Sequence, residues 1–167
     1  MQPGTFGPME LSWLDVLVRL AATIVFSLAL GLERFLRKKP IDFRPFVIIA
    51  LASCTLVIGV SEYGVKVNDT ALAVDPSRVV QGVLTGIGFI GAGALFREDK
   101  TVYGAGSATS IWAAGAIGLI CGFGLLWLAG LLAVGLMLTL VLSRPFTDEY
   151  TMRIEETADD SEKRDKT

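Results

Sequence analysis

The stretch from Asp75 to Glu98, DPSRVVQGVLTGIGFIGAGALFRE, constrains this chain more than any other. It contains a run of about 20 mostly apolar residues, the length a helix needs to cross the hydrocarbon core of a bilayer. It is also dense in glycine, and Gly86–Gly91 reads GIGFIG, which fits the G-x-G-x-x-G dinucleotide fingerprint. That fingerprint acts only between a strand and a helix of a βαβ unit, where its glycines let the backbone approach a pyrophosphate. No strand pattern precedes it here. The nucleotide reading is therefore rejected, and the glycines read as a surface where one transmembrane helix meets another.

Composition supports the membrane reading and narrows the function. Of 167 residues, 52% are hydrophobic and 19% charged, and the mean hydropathy of +0.57 is too high for an ordinary soluble domain of this size. A net charge of -2 argues against a general nucleic-acid binder. The chain has no histidine, which excludes imidazole-based zinc sites and catalytic triads. There is no P-loop and no nucleophile–base pair, so an enzyme is not expected. Cys54 and Cys121 lie in apolar runs and read as packed thiols rather than a disulfide. No basic residue precedes Arg19 and no small-residue cleavage site is evident, so a cleaved signal peptide is not expected.

The apolar runs predict an all-α integral membrane protein with five transmembrane helices, over about 12–33, 45–62, 76–97, 102–121 and 125–143. Residues 1–11, with two prolines and two glycines, read as irregular, and 144–167 as a disordered charged tail. Asp75 is placed as N-cap and Pro76 at the first position of the third helix. Gly122-Phe123-Gly124 is so short a connection that the fourth and fifth helices must form an antiparallel hairpin. One set of connections holds Arg34, Arg37, Lys38, Lys39 and Arg44, then Arg97 and Lys100, then the basic residues of the tail; the other set holds only Lys66. Positive residues favour the cytoplasmic side, which puts the N-terminus outside and the C-terminus in the cytoplasm.

Two patterns carry the functional reading. The fourth helix offers Gly106, Ser110, Ala114, Gly118 and Gly122 at strict i,i+4 spacing, and the third offers Gly82, Gly86, Gly88, Gly91 and Gly93. Small residues let helix backbones approach closely in lipid, where burying leucine against leucine gains little. These faces suit packing of the third helix on the fourth, homodimerisation, or a pore lined by bare backbone. The second pattern is charge inside apolar segments, which is costly enough to be kept for a reason. Asp15, Arg19, Asp75, Arg78 and Gln81 lie at comparable depth near the outer end, so both arginines are expected to meet carboxylates in one polar cluster. That cluster reads either as snorkelling, structurally paired arginines or as a site for a ligand, a partner or a cation. At the inner end stand Glu33, Arg34 and Arg44. No carboxylates cluster densely enough to fix a metal site; Mg²⁺, with one or two carboxylates and retained waters, is the candidate ion.

Several of these segments together resemble a known family. They are Arg19-Leu20 leading to GLER at Gly31–Arg34, KPIDFR at Lys39–Arg44, DPSR at Asp75–Arg78 followed by GIGFIGAG at Gly86–Gly93, and Gly104–Trp112 leading to AIG at Ala116–Gly118. They resemble the membrane domain of the MgtC/SapB family, bacterial inner-membrane proteins tied to magnesium limitation and, in pathogens, to virulence. The resemblance implies a multi-pass modulator of other membrane proteins, with the F-type ATP synthase and magnesium-transporting P-type ATPases as partners. A channel or carrier for Mg²⁺ or another ion is the alternative. Two departures stand out: Gly106-Ser107 replace a Thr-Thr pair, leaving one hydroxyl, and Pro45-Phe46 replace a Thr-His pair. Many members carry a soluble C-terminal domain of the ACT type; only the charged tail is expected here.

Overall fold

The structure is a computed structural model and describes residues 7, 8, 10–36, 42–66, 75–98 and 101–143. It comprises two compact units, Met1–Ala133 and Val134–Thr167, the described part of the second being the last turns of the fifth helix.

Helix α1, Trp13–Leu36, starts from a cap written into its sequence. The Ser12 hydroxyl accepts from the Asp15 amide at 3.1 Å, and the Asp15 carboxylate accepts from the Ser12 amide at 3.2 Å. This reciprocal arrangement satisfies donors that a helix N-terminus leaves open. Helix α2, Arg44–Lys66, follows Asp42, whose carboxylate pairs with the Arg44 guanidinium. It buries Phe46, Ala50, Ser53, Cys54 and Val57, spaced three and four apart as one helical face. Helix α3, Pro76–Gly93, has Asp75 as its N-cap and Pro76 at the first position.

Helix α4, Ala105–Gly122, buries Ser110, Ala114, Gly118, Cys121 and most of the residues between. Such a helix, covered on several sides, is the centre on which the others pack. Glycines set how close they come. A Cβ at Gly118 would collide with the Ala50 backbone, and one at Gly122 would lie 2.8 Å from the Cys54 carbonyl oxygen. Helix α3 meets α4 at Gly91, where a Cβ would lie 3.4 Å from the Ala108 carbonyl oxygen, and through a cluster of Ile87 with Phe46, Ile111 and Ala114.

The first four helices alternate in direction. Gly31 near the end of α1 lies against Phe43 at the start of α2, and Arg34 reaches Ser107 at the start of α4. Phe35 and Phe43 meet edge to face at 5.9 Å across the same end. At the opposite end, Arg19 meets the end of α4. Gly124, at φ +80°, then turns the chain into α5, Leu126–Leu142, whose Gly130 faces Phe26 of α1. The short connection expected between the fourth and fifth helices is present; through Ala133, α5 lies against α1 at Gly130.

The boundaries of the third and fourth helices needed correction. Expected over 76–97 and 102–121, they occupy Pro76–Gly93 and Ala105–Gly122, and between them runs an antiparallel hairpin, β1 Phe96–Glu98 with β2 Thr101–Tyr103. The fold is therefore helical with one short two-stranded sheet rather than purely α. Gly104 closes the hairpin onto α4 at φ +86°, where a Cβ would collide with the Ala94 carbonyl oxygen. Glycine alone adopts that conformation without strain. Helices α1, α2 and α4 are long and apolar enough to cross a membrane, whereas α5 is a shorter apolar helix of 17 residues. The charged tail and the connections over 37–41 and 67–74 lie outside the described residues, as does most of the irregular N-terminus.

Candidate functional site

The polar residues singled out near the outer end do not converge. Asp15 is exposed and occupied with Ser12. Asp75 is exposed and caps α3, accepting from the Ser77 amide at 2.8 Å. Those Ser77 contacts, with a smaller contribution from the Arg78 charge, hold its carboxyl below the usual carboxylate range. Arg78 and Gln81 are exposed on α3. Among the described residues no ion pair joins Arg19 or Arg78 to Asp15 or Asp75. The single polar cluster is therefore corrected to separate helix caps and one inserted arginine.

Arg19 is that arginine. It crosses from α1 to the end of α4 and donates to the Gly122 carbonyl oxygen at 2.6 Å. Its guanidinium occupies the space where a Cβ at Gly124 would stand, 2.8 Å away. A cation here satisfies a terminal carbonyl and complements the negative end of the helix dipole. Carboxylates four residues away drew attention in the sequence, but helix spacing alone does not tell which neighbour a half-buried side chain will reach.

The opposite end of α1 is built the same way. Glu33 and Arg34 are each only 7% exposed. Arg34 Nη2 donates to the Ser107 hydroxyl at 3.2 Å, and a Cβ at Gly106 would lie 2.8 Å from that same nitrogen. Gly106 is thus a seat for a guanidinium, and Ser107 is the hydroxyl that holds it. Arg44, grouped with these two from the sequence, is exposed and pairs with Asp42 instead.

Between the two arginines α1 turns one small and polar face inward: Arg19, Thr23, Ser27, Gly31, Arg34. Thr23 and Ser27 are fully buried, each hydroxyl donating to the carbonyl four residues back at 2.7 Å. Ser53 of α2 and Ser110 of α4 are buried with the same type of bond. The sequence reading missed Thr23 and Ser27, although their i,i+4 spacing from Arg19 was the available signal. Glu62, read from the sequence as an end of the second helix, has a carboxylate that accepts from the Leu11 amide at 3.0 Å and ties the segment before α1 to the end of α2.

The small-residue faces separate into two kinds. Gly106, Ser110, Ala114, Gly118 and Gly122 of α4 are engaged with α1 and α2 or buried in the core, and Gly91 of α3 packs on α4. A Cβ at Gly82, Gly86, Gly88 or Gly93 would have no neighbour within 4 Å among the described residues. Gly82, Gly86 and Gly93 share an open side of α3 with Phe89, which is 83% exposed, and Gly88 lies on another side. The expectation that these four pack on the fourth helix is corrected, because Ile87 and Gly91 on the opposite side make that contact.

The family model for the MgtC family matches residues 20–149, which include both arginine seats but Arg19 and all of α2, α3 and α4. The chain belongs to the MgtC family. It is 33% identical to the protein SapB of Bacillus subtilis (strain 168) over 127 residues, 70% of this chain and 52% of that protein. It is 34% identical over 113 residues to YhiD of Escherichia coli (strain K12), by its name a candidate magnesium transporter, covering 66% of this chain and 52% of that protein. Against the protein MgtC of Brucella abortus (strain 2308) identity is 31% over 126 residues, 75% of this chain and 50% of that one. The chain thus spans about half the length of these MgtC-family relatives. No solved structure matches it.

Proposed function

We propose that this MgtC-family chain is a multi-pass protein of the bacterial inner membrane, acting in adaptation to low Mg²⁺ by modulating other membrane proteins through helix–helix contact. It is read as non-enzymatic. The open side of α3 carries the proposal: Gly82, Gly86 and Gly93 have space for a neighbour that the described residues do not supply. A helix face of bare backbone gains more from a closely apposed helix than from lipid chains, which cannot fill its groove as tightly. An F-type ATP synthase or a Mg²⁺-transporting P-type ATPase is the proposed target. The charged residues fit such a module, since Arg19 and Asp75 serve helix ends.

Transport of Mg²⁺ is the second reading. It draws on the name of YhiD and on the buried hydroxyls of Thr23, Ser27, Ser53 and Ser107. The guanidinium groups of Arg19 and Arg34 stand at the two ends of that polar face and repel a divalent cation.

Two measurements separate the readings. Gly86→Leu places a side chain in the α3 groove, where a Cβ meets none of the described residues. It should abolish a growth advantage conferred at limiting Mg²⁺ while leaving the level of folded protein intact. Purified wild-type protein in liposomes should admit no Mg²⁺ to a trapped indicator dye; a sustained flux from the protein alone would overturn modulation in favour of transport.

A further inference from the structure

Arg19 borders a cluster that neither the α3 surface nor the helix caps use. Helices α2 and α4 run side by side in one register, Ala50 against Gly118 and Cys54 against Gly122, with backbones in close approach at both levels. Cys54 and Cys121 therefore stand at one height on adjacent helices, and both are fully buried with free thiols. Helix α1 supplies Thr23 at the same level. Its hydroxyl donates to the Arg19 carbonyl oxygen and lies within hydrogen-bonding reach of both thiols. Two sulfurs and one hydroxyl from three helices thus meet at one point of the core. One turn away stands the Arg19 guanidinium, half-buried and close enough for its charge to act on the Cys54 sulfur.

Thiols buried for packing alone need no cation beside them. The donor set narrows what a cation-balanced pair would hold. Among the described residues no group of three or more Cys, Asp or Glu forms, and the chain has no histidine. A closed zinc site takes four such ligands, and Mg²⁺ takes oxygen rather than sulfur. Two thiolates alone suit a monovalent d¹⁰ ion, Cu⁺ above all, which soft sulfur ligands select and which binds two of them in a line. Metal–sulfur bonds of about 2.3 Å set the sulfurs about 4.6 Å apart across an ion. A disulfide would draw them to about 2.05 Å. Two thiols facing one shared hydroxyl oxygen are held apart by it, a spacing that suits the ion rather than the bond. Charge agrees. Each thiol gives up its proton, so Cu⁺ with two thiolates is a monoanion, and the Arg19 guanidinium offsets it where an unpaired charge is costly.

We propose that Cys54 and Cys121 form a two-coordinate site for a soft monovalent metal ion, Cu⁺ by its chemistry, with Arg19 as its counter-charge. A bound ion clamps α2 to α4 at the level of Thr23. The site lies apart from the open side of α3, so it stands or falls separately from modulation by helix contact.

Titration of the purified, reduced full chain in detergent with Cu⁺ tests it, under argon and against a chromophoric Cu⁺ chelator. Wild type should withdraw one Cu⁺ per chain, and its unfolding temperature should rise on loading. Cys54→Ala and Cys121→Ala should each abolish the uptake. Arg19→Gln should weaken it by about 10- to 100-fold, the range for a group just outside the ligands, and Arg19→Lys should weaken it less. X-ray absorption of the loaded wild type, which needs no variant, should show two sulfur neighbours and no nitrogen or oxygen. Folded wild type that takes no Cu⁺ from the chelator would overturn the site. So would a metal shell of nitrogen and oxygen, or uptake unchanged in folded Cys54→Ala and Cys121→Ala, which would show an adventitious ion only. A Cys54–Cys121 disulfide found by mass spectrometry in chain isolated without reductant would also overturn it, in favour of a redox pair. None of these outcomes bears on whether low-Mg²⁺ growth responds to Gly86→Leu.

Discussion

At the scale of single residues, two glycines of similar appearance in the sequence have opposite duties. Gly118 is required because the Ala50 backbone occupies the space its side chain would need, and Gly82 has open space there. Gly118→Ala should destabilise by about 1–3 kcal/mol, the range for forcing an extra group into a packed core. Gly82→Ala should be neutral or raise stability by about 0.5–1 kcal/mol, because alanine costs less than glycine to order in a helix. Thermal unfolding in detergent distinguishes them, and equal behaviour of the two variants would refute the assignment. Arg19→Ala removes a charged donor from the Gly122 carbonyl and should cost about 1.5–3 kcal/mol, the range for hydrogen bonds to charged groups. Arg19→Lys, which keeps the charge but not the reach and fork of the guanidinium, should recover part of it. The spacing of small residues was legible in the sequence, but which glycines face a neighbour depends on how each helix is rotated in the bundle. Only α4, with glycines or other small residues on a strict four-residue repeat, left little choice.

At the scale of elements, the ends of helices were the most legible features where a side chain builds them. Asp75 and Pro76 start α3 as read, since an acceptor followed by a residue with no amide hydrogen satisfies a helix N-terminus directly. The far end of α3 was misplaced by four residues because Arg97-Glu98-Asp99-Lys100 was read as a charged loop. The flanks, Phe96 on one side and Thr101-Val102-Tyr103 on the other, were the signal for strands, with aromatic and β-branched residues around a two-residue connection. The cap at Asp75 also makes a pH prediction. Its carboxyl titrates below the unfolded value in the folded chain because it accepts from Ser77, so its stabilising contribution is present above the unfolded pKa and is lost as pH falls through the lower folded value. Unfolding temperature measured from about pH 6 down to about pH 3, across the ordinary carboxylate range, should fall more steeply for wild type than for Asp75→Asn. Parallel curves would show that the cap carries no such linkage.

At the scale of the whole molecule, direction follows from which residues share an end. Phe43 and Arg44 at the start of α2 share one end with Arg34 and Ser107, and Asp75 and Ser77 at the start of α3 lie at the other end of the alternating helices. Alternation of α1 to α4 was legible because short connections between long apolar runs turn each helix back along the one before it. Orientation is a separate question, and it rests on charge. Arg34, Arg37, Lys38, Lys39 and Arg44 flank the first return, and Arg97 and Lys100 flank the second. Moving basic groups outward is disfavoured, so we propose this end as the cytoplasmic one. A membrane-impermeant maleimide should therefore label Ser77→Cys in intact spheroplasts, and should label Asp42→Cys only after the membrane is permeabilised. Both sites are exposed or half-exposed, so reactivity reports sidedness rather than burial. Labelling of Asp42→Cys from outside, with Ser77→Cys protected, would invert the topology and place the Asp75 cap and Arg78 on the cytoplasmic face.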